Sequence, residues 1–333
     1  MLRRKAKAIL QQLNFYLGRN PRLQKKADWR SFIPQPYKAV VILSSDFELA
    51  WAWQYAKRSK DPLQLAIQKA KQERENMPRL LKLCDEYNIP ITWLTVGHLF
   101  LDSCTRGEHL THPEIPRLPH FENNFWKYAG KDWFENDPCT DFHKDPLWYC
   151  PDLIDQILAS KTAHEIGCHT FSHIDCRDVV CSPELFRKEM EAWLQASKRF
   201  GIENVTSFVH PGHTIGNLPA LAEMGFTNYR TDYANILGFP HKDEHGLWEF
   251  TTTLEFDYYP DWSDSTQVKR YITLFNRALE HHTLAYLWFH PSLDSRFIKN
   301  IMPKVFDWLN RHRNEIWLVT KGEYVKWLKE SGL

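Results

Sequence analysis

The sequence predicts an α/β protein built on a parallel sheet closed into a barrel, and three observations carry that expectation. Short apolar or β-branched segments alternate with helical patterns along the chain, which implies parallel strands joined by helical crossovers. The chain has 333 residues, 43% of them hydrophobic, enough to bury a large core without staples. It has only 13 glycines and no G-x-G-x-x-G or Walker sequence, the turns by which an open nucleotide-binding sheet usually declares itself.

In chain order, Ala39 to Ser45 (AVVILSS) reads as a buried strand, followed by one or two amphipathic helices over Leu63 to Tyr87, broken near Pro78. Further strands are expected at Ile89 to Val96, Ala163 to Cys168, Val205 to His210, Thr227 to Arg230, Leu284 to His290 and Ile316 to Val319. Helices are expected near Pro183 to Phe200, Leu218 to Met224, Gln267 to His281 and Phe297 to Arg311. Between Gly97 and Tyr149 the periodicity fails. That stretch is rich in Pro, His, Asn and aromatics, so 97–149 is expected to be an ordered insertion or lid on a barrel domain spanning 39–333.

Residues 1–38 read as a basic N-terminal tail. The first 30 residues carry a net charge of +8 and the remainder −7. An acidic body argues against nucleic acid as partner, because phosphate binding needs a basic working face. Leu2, Ala6, Ile9, Leu13 and Tyr16 recur at helical spacing, so an amphipathic helix is expected, docked on its own domain or in peripheral contact with an anionic membrane through residues 1–30. Gln11 and Gln12 interrupt what would be the apolar part of a secretory signal, and no apolar run approaches the roughly 20 residues of a membrane span. The expected location is therefore the cytoplasm. Seven cysteines without a C-x-x-C pair form no complete disulfide framework and spell no zinc knuckle. The 47 aromatic residues are compatible with a carbohydrate ligand, since ring faces stack on sugars.

In parallel barrels functional side chains lie at the C-terminal ends of strands. Here four strand ends deliver ionisable groups. They are Asp46 and Glu48 after Ser44-Ser45, His169 and His173 in His169-Thr170-Phe171-Ser172-His173, His210 and His213 in His210-Pro211-Gly212-His213, and His290 before Pro291. Two imidazoles four residues apart face one metal if their segment makes a helical turn, and a carboxylate from another strand completes the set. His164 with His169 does not fit a zincin pattern, because five-residue spacing points the rings apart on a helix. His109, His112, His120, His281 and His282 lie in loop or helical contexts and are read as non-site residues.

These motifs resemble the polysaccharide deacetylase family, also called NodB-homology or carbohydrate esterase family 4. HEIGCHTFSH at 164–173 is similar to its metal-binding motif, the strand ending in SSDFE stands where the family has an aspartate motif, and SFVHPGHTIGN at 207–217 and LWFHPS at 287–292 resemble later motifs. The resemblance implies a distorted (β/α)7 barrel and a hydrolase acting on non-peptide C–N bonds that removes N- or O-acetyl groups from a saccharide. It further implies a divalent metal, zinc first with cobalt or manganese as alternatives, bound by Glu48, His169 and His173, with Asp46 as general base and His290 protonating the leaving group. The roles of Asp46 and Glu48 are interchangeable at this stage. The family's third-motif arginine is missing from HPGH, so Arg230 or His213 is expected to orient the base, and Asp232 or Asp257 to accompany His290. Two other readings use the same barrel. One is a hydrolase of a small non-saccharide C–N bond, and the other a catalytically degenerate glycan-binding barrel.

Overall fold

The structure is a computed structural model that describes residues 21–106, 111–128, 132–231 and 235–333, together with residues 6, 9, 10, 13 and 14. Half of the basic segment 1–30, and with it most of the expected amphipathic helix and its membrane contact, lies outside the described residues. From Arg22 onward the chain packs on the barrel. Arg22–Leu23 pairs with Ile236–Leu237, and Phe32 and Ile33 are buried.

Seven strands frame the central region: β1 (Ala39–Phe47), β2 (Thr92–Thr95), β3 (Glu165–Cys168), β4 (Asn228–Arg230), β5 (Leu254–Glu255), β6 (Leu284–Phe289) and β7 (Ile316–Val319). The helices around them are α1 (Pro62–Tyr87), α2 (Pro151–Leu158), α3 (Pro183–Lys198), α4 (Leu218–Glu223), α5 (Asp264–Glu280), α6 (Met302–Arg311) and α7 (Lys321–Glu330). β1 is buried at every position, as expected of a strand covered on both faces. It pairs with β6 along Val40–Ser45, with β7 along Ala39–Ile42 and with β2 along Ser44–Phe47, all parallel. Since a strand has two edges, β7 and β2 divide one of them between its lower and upper halves, which is the distortion of this (β/α) barrel. β2 continues to β3, and single parallel bridges Cys168–Phe208 and Ser207–Asn228 lead on to β4.

Several elements differ from expectation. The Val205–His210 strand is reduced to those two bridges. α1 runs unbroken through Pro78, which lacks the amide for one helical hydrogen bond, while Asp61 caps its start through Gln64 N. α2, α7 and β5 were not foreseen, being short and flanked by turns.

The 97–149 stretch packs on the barrel mouth by its aromatics. Trp126, Trp133, Phe134, Trp148 and Tyr149 are buried, and Trp133 Nε1 donates to Ser172 O at 2.8 Å. Its first residue, Gly97, donates its amide to Thr170 O, and a Cβ there would lie 2.6 Å from Trp193 and 2.9 Å from Phe171. Gly97→Ala is therefore expected to destabilise the fold by about 1–3 kcal/mol through overpacking. Urea unfolding checks this, and an unchanged midpoint would mean that the neighbours yield freely.

Candidate active site

Register explains why distant residues meet. Phe47, Thr95 and Cys168 lie side by side across β1, β2 and β3, so Glu48 and His169, each one residue further, emerge at the same level. On the other edge Phe289 pairs with Ser45, so His290 emerges beside Asp46. The four strand-end groups share one rim because the strands are parallel and in step.

His169 and His173 do converge, but not through a helical turn. Thr170 and His173 adopt left-handed backbone, with φ 58° and 62°, and fold the loop back until the two rings stand 5.0 Å apart. Non-glycine residues in that region are costly and persist where surroundings hold them. Here Glu189 of α3, fully buried, accepts from Ser172 N at 2.8 Å and Ser172 Oγ at 2.6 Å, while Gly97 N and His98 N donate to Thr170 O and Phe171 O.

Glu48 Oε1 lies 2.9 Å from His169 Nε2 and 3.1 Å from His173 Nε2, all three side chains being buried. His169 Nδ1 faces Val209 O at 2.8 Å. A carbonyl only accepts, so the neutral ring carries its proton on Nδ1 and turns the Nε2 lone pair toward the Glu48 carboxylate. Two electron-rich atoms directed at one point fit a shared cation, and the carbonyl serves as the outer partner that fixes a ligand histidine's tautomer. N and O donors with two neutral imidazoles suit zinc and related divalent ions. The residues present therefore fit a metal.

Asp46 is committed elsewhere. Arg230, at the end of β4 and 1% exposed, grips both carboxylate oxygens in a fork, through Nη1 to Oδ1 at 2.9 Å and Nη2 to Oδ2. Its guanidinium lies 4.5 Å from the Trp288 ring. Arg230, not His213, is thus the group that pairs with Asp46. His213 instead sets its ring edge-on to Trp288 at 5.4 Å, and His210 contacts Gly216 O at 3.0 Å, its pKa lowered to about 3 chiefly by burial. Burial alone would raise the Asp46 pKa, yet Arg230, with help from His169 and His290, holds it below the usual value. Burial likewise works against ionised Glu48, but His290 and His173 keep its pKa well below normal. Burial lowers the His173 pKa, which favours the neutral ring a ligand needs. Glu73 accepts from Glu48 N at 3.1 Å, and burial together with the Glu48 charge raises its pKa well above normal.

His290 Nε2 lies 3.6 Å from Glu48 Oε2 and its Nδ1 3.9 Å from Glu255 Oε1. Besides Glu48, the carboxylate beside His290 is therefore Glu255. Asp257, two residues beyond the end of β5, is exposed and accepts from Tyr258 N, and Asp232 lies outside the described residues. Glu255 has its pKa raised to about 7, mainly by burial. It was missed because it occupies a two-residue strand, although TTTLEF is rich in β-formers.

A buried Arg–carboxylate pair is costly to break because the survivor is left as an unpaired charge. Arg230→Met is expected to cost about 3–5 kcal/mol, and Asp46→Asn on top of it to recover part of the loss. Asp46 and Glu48 titrate below their usual 3.8 and 4.5, so their contribution is present above those values and is lost as pH falls through the lower folded ones. Urea unfolding between pH 3 and 7 checks both expectations. Additive losses in the double variant would contradict the pairing.

The comparisons agree with this geometry. Residues 57–229 match the family model for polysaccharide deacetylase. No curated protein matches the chain. Among solved structures, a Mycobacterium smegmatis protein described as a polysaccharide deacetylase superposes with TM-score 0.60 at 16% identity, over 93% of this chain and 96% of that one. A probable polysaccharide deacetylase of Pseudomonas aeruginosa PAO1 gives 0.60 at 13% identity over 90% and 94%. Puue allantoinase gives 0.61 at 12% identity over 89% and 92%. These likenesses establish the fold. Among the described residues no helix is long and apolar enough to cross a membrane. With the family model covering more than half of its length, the chain belongs to the polysaccharide deacetylase family, hydrolases of non-peptide C–N bonds.

Proposed function

We propose that this protein is a metal-dependent deacetylase of an N- or O-acetylated saccharide, with Glu48, His169 and His173 holding a divalent ion, Asp46 acting as base and His290 as acid. The observation that carries the reading is the division of labour between two carboxylates two residues apart. Glu48 Oε1 faces both Nε2 atoms, whereas both oxygens of Asp46 are held by Arg230. That arrangement favours Glu48 as the ligand and Asp46 as the base. We take the ion to be zinc, with cobalt or manganese as substitutes; when bound it would acidify a water and polarise the acyl carbonyl.

The chain's own residues supply the rest. Arg230 keeps Asp46 ionised and its carboxylate plane fixed, while each oxygen retains a lone pair able to take a proton from the attacking water. His290, with its side chain 22% exposed, is the one member of the group open enough to reach a leaving amine or alcohol. Glu255 behind it can stabilise the imidazolium. Aromatic rings line this mouth. Trp53 stands edge-on to His290 at 5.7 Å, and Phe125 is 46% exposed near His213. Such faces suit the apolar side of a sugar ring.

Acetate release from N- and O-acetylated oligosaccharides, with zinc, cobalt or manganese supplied, tests the reading. Asp46→Asn is expected to lower kcat by roughly 10²–10⁴ with metal content unchanged, the range for loss of a general base. His169→Ala/His173→Ala is expected to lose this metal and the activity together. A wild type that binds the metal yet releases no acetate, but opens a small cyclic amide, would transfer the substrate class to non-saccharide C–N bonds.

A further inference from the structure

A second group of ligand atoms lies in the 97–149 stretch, apart from every residue assigned above. His98 follows β2 in the short helical turn Gly97–Phe100, and Cys104, His112 and Asp137 come from successive parts of the stretch. His98 Nε2 lies 3.1 Å from His112 Nε2 and 3.1 Å from Asp137 Oδ2, and Cys104 Sγ lies 3.3 Å from His112 Nε2. One ligand atom from each of the four falls within 4.8 Å of all the others. Ligands bonded to a tetrahedral zinc stand about 3.3–3.6 Å from one another, so the four atoms already outline such a shell.

Hydrogen bonding alone does not account for this convergence. The Asp137 side chain is fully buried. Its Oδ1 accepts from Tyr149 Oη at 2.6 Å and Cys139 N at 3.0 Å, while Oδ2, turned into the cluster, faces His98 Nε2 at 3.1 Å. His98 Nε2 carries at most one proton and faces both Asp137 Oδ2 and His112 Nε2, so one hydrogen bond cannot account for both approaches. Oδ1 is held by two donors, as ligand carboxylates are by their outer partners, and Oδ2 is presented to the cluster. The charges of such a set balance: with an ion bound, a thiolate and a carboxylate bring −2 against +2, and two imidazoles complete the shell. The backbone is also committed, because His112 and Cys139 both sit at φ 51° without being glycine.

We propose that His98, Cys104, His112 and Asp137 form a second, structural zinc site that fastens the 97–149 stretch to the end of β2. The mixed sulfur and nitrogen set selects zinc over magnesium or calcium. Four protein ligands leave no position for water or substrate, which marks a structural rather than a catalytic site. Its placement links it to the rim. The His98 ring lies 4.4 Å from Trp51, three residues after Glu48, and both His98 and His112 pack on Phe171 between the two motif histidines. The spacing H-x5-C-x7-H-x24-D matches no compact finger, which is why the sequence gives no warning of it.

Cobalt is the probe, because a thiolate ligand gives Co(II) a near-ultraviolet charge-transfer band that the N₂O site of Glu48, His169 and His173 has no sulfur to produce. The full chain, chelator-treated, loaded with Co(II) and freed of excess, is expected to show that band with strong tetrahedral absorption in the visible. The band is expected to persist in His169→Ala/His173→Ala, which should retain one equivalent where the wild type retains two, and to vanish on Cys104→Ser. Loss of metal at the first site alone leaves the band intact, so the two proposals fail separately. Wild-type protein that takes up cobalt without the band, or a His169→Ala/His173→Ala variant that is folded by circular dichroism and retains none, would overturn the assignment. Both readings come from chains with the cluster unaltered, so misfolding of the Cys104 variant does not decide the outcome.

Discussion

Everything at the rim follows from two carboxylates at the end of a strand with no exposed position. Asp46 in β1 and Glu48 just past its end stand two residues apart, both 3% exposed, and two anions in such surroundings cannot remain ionised without partners. The barrel answers each differently. A guanidinium from β4 neutralises Asp46 in a rigid fork. Glu48 receives two imidazoles from one loop and a third from just past β6, a set that a divalent ion would complete. That asymmetry separates the surroundings of two residues that look interchangeable in the sequence.

The loop that brings in the imidazoles is held from three sides. Glu189 ties Ser172 from α3, Gly97 and His98 tie Thr170 and Phe171 from the end of β2, and Trp133 reaches down to Ser172 O. Two of these three braces belong to the 97–149 stretch. A strained left-handed backbone at Thr170 and His173 is kept by this surrounding structure and not by the loop itself. The aromatic insertion therefore braces the rim.

Strand-end logic made the principal site residues readable, because parallel strands in register bring their successors together and the HTFSH segment is compact in sequence. The means of convergence was not readable. A four-residue spacing suggests a helical turn, and nothing in Thr170 or His173 as residue types announces left-handed backbone. Arg230 stood as one of two candidates, since its choice over His213 depends on β4 directing it at Asp46 across the barrel. Glu255 and the His98 cluster escaped for the opposite reason. Glu255 lies in a two-residue strand far along the chain from His290, and the ligands of the cluster meet only once the insertion has folded. The C-terminal half of α1 also shows the limit of local rules, since a proline at 78 failed to break a helix held by tertiary packing.

The central claim, a divalent ion shared by Glu48, His169 and His173, is tested most directly by an anomalous difference map from a zinc-soaked crystal, recorded on either side of the zinc absorption edge. The account predicts a peak at about 2.0–2.2 Å from one Glu48 oxygen and from both Nε2 atoms, with the Asp46–Arg230 fork intact. A peak bound by Asp46 in place of Glu48, or density at the His98 cluster with none at this rim, would contradict it.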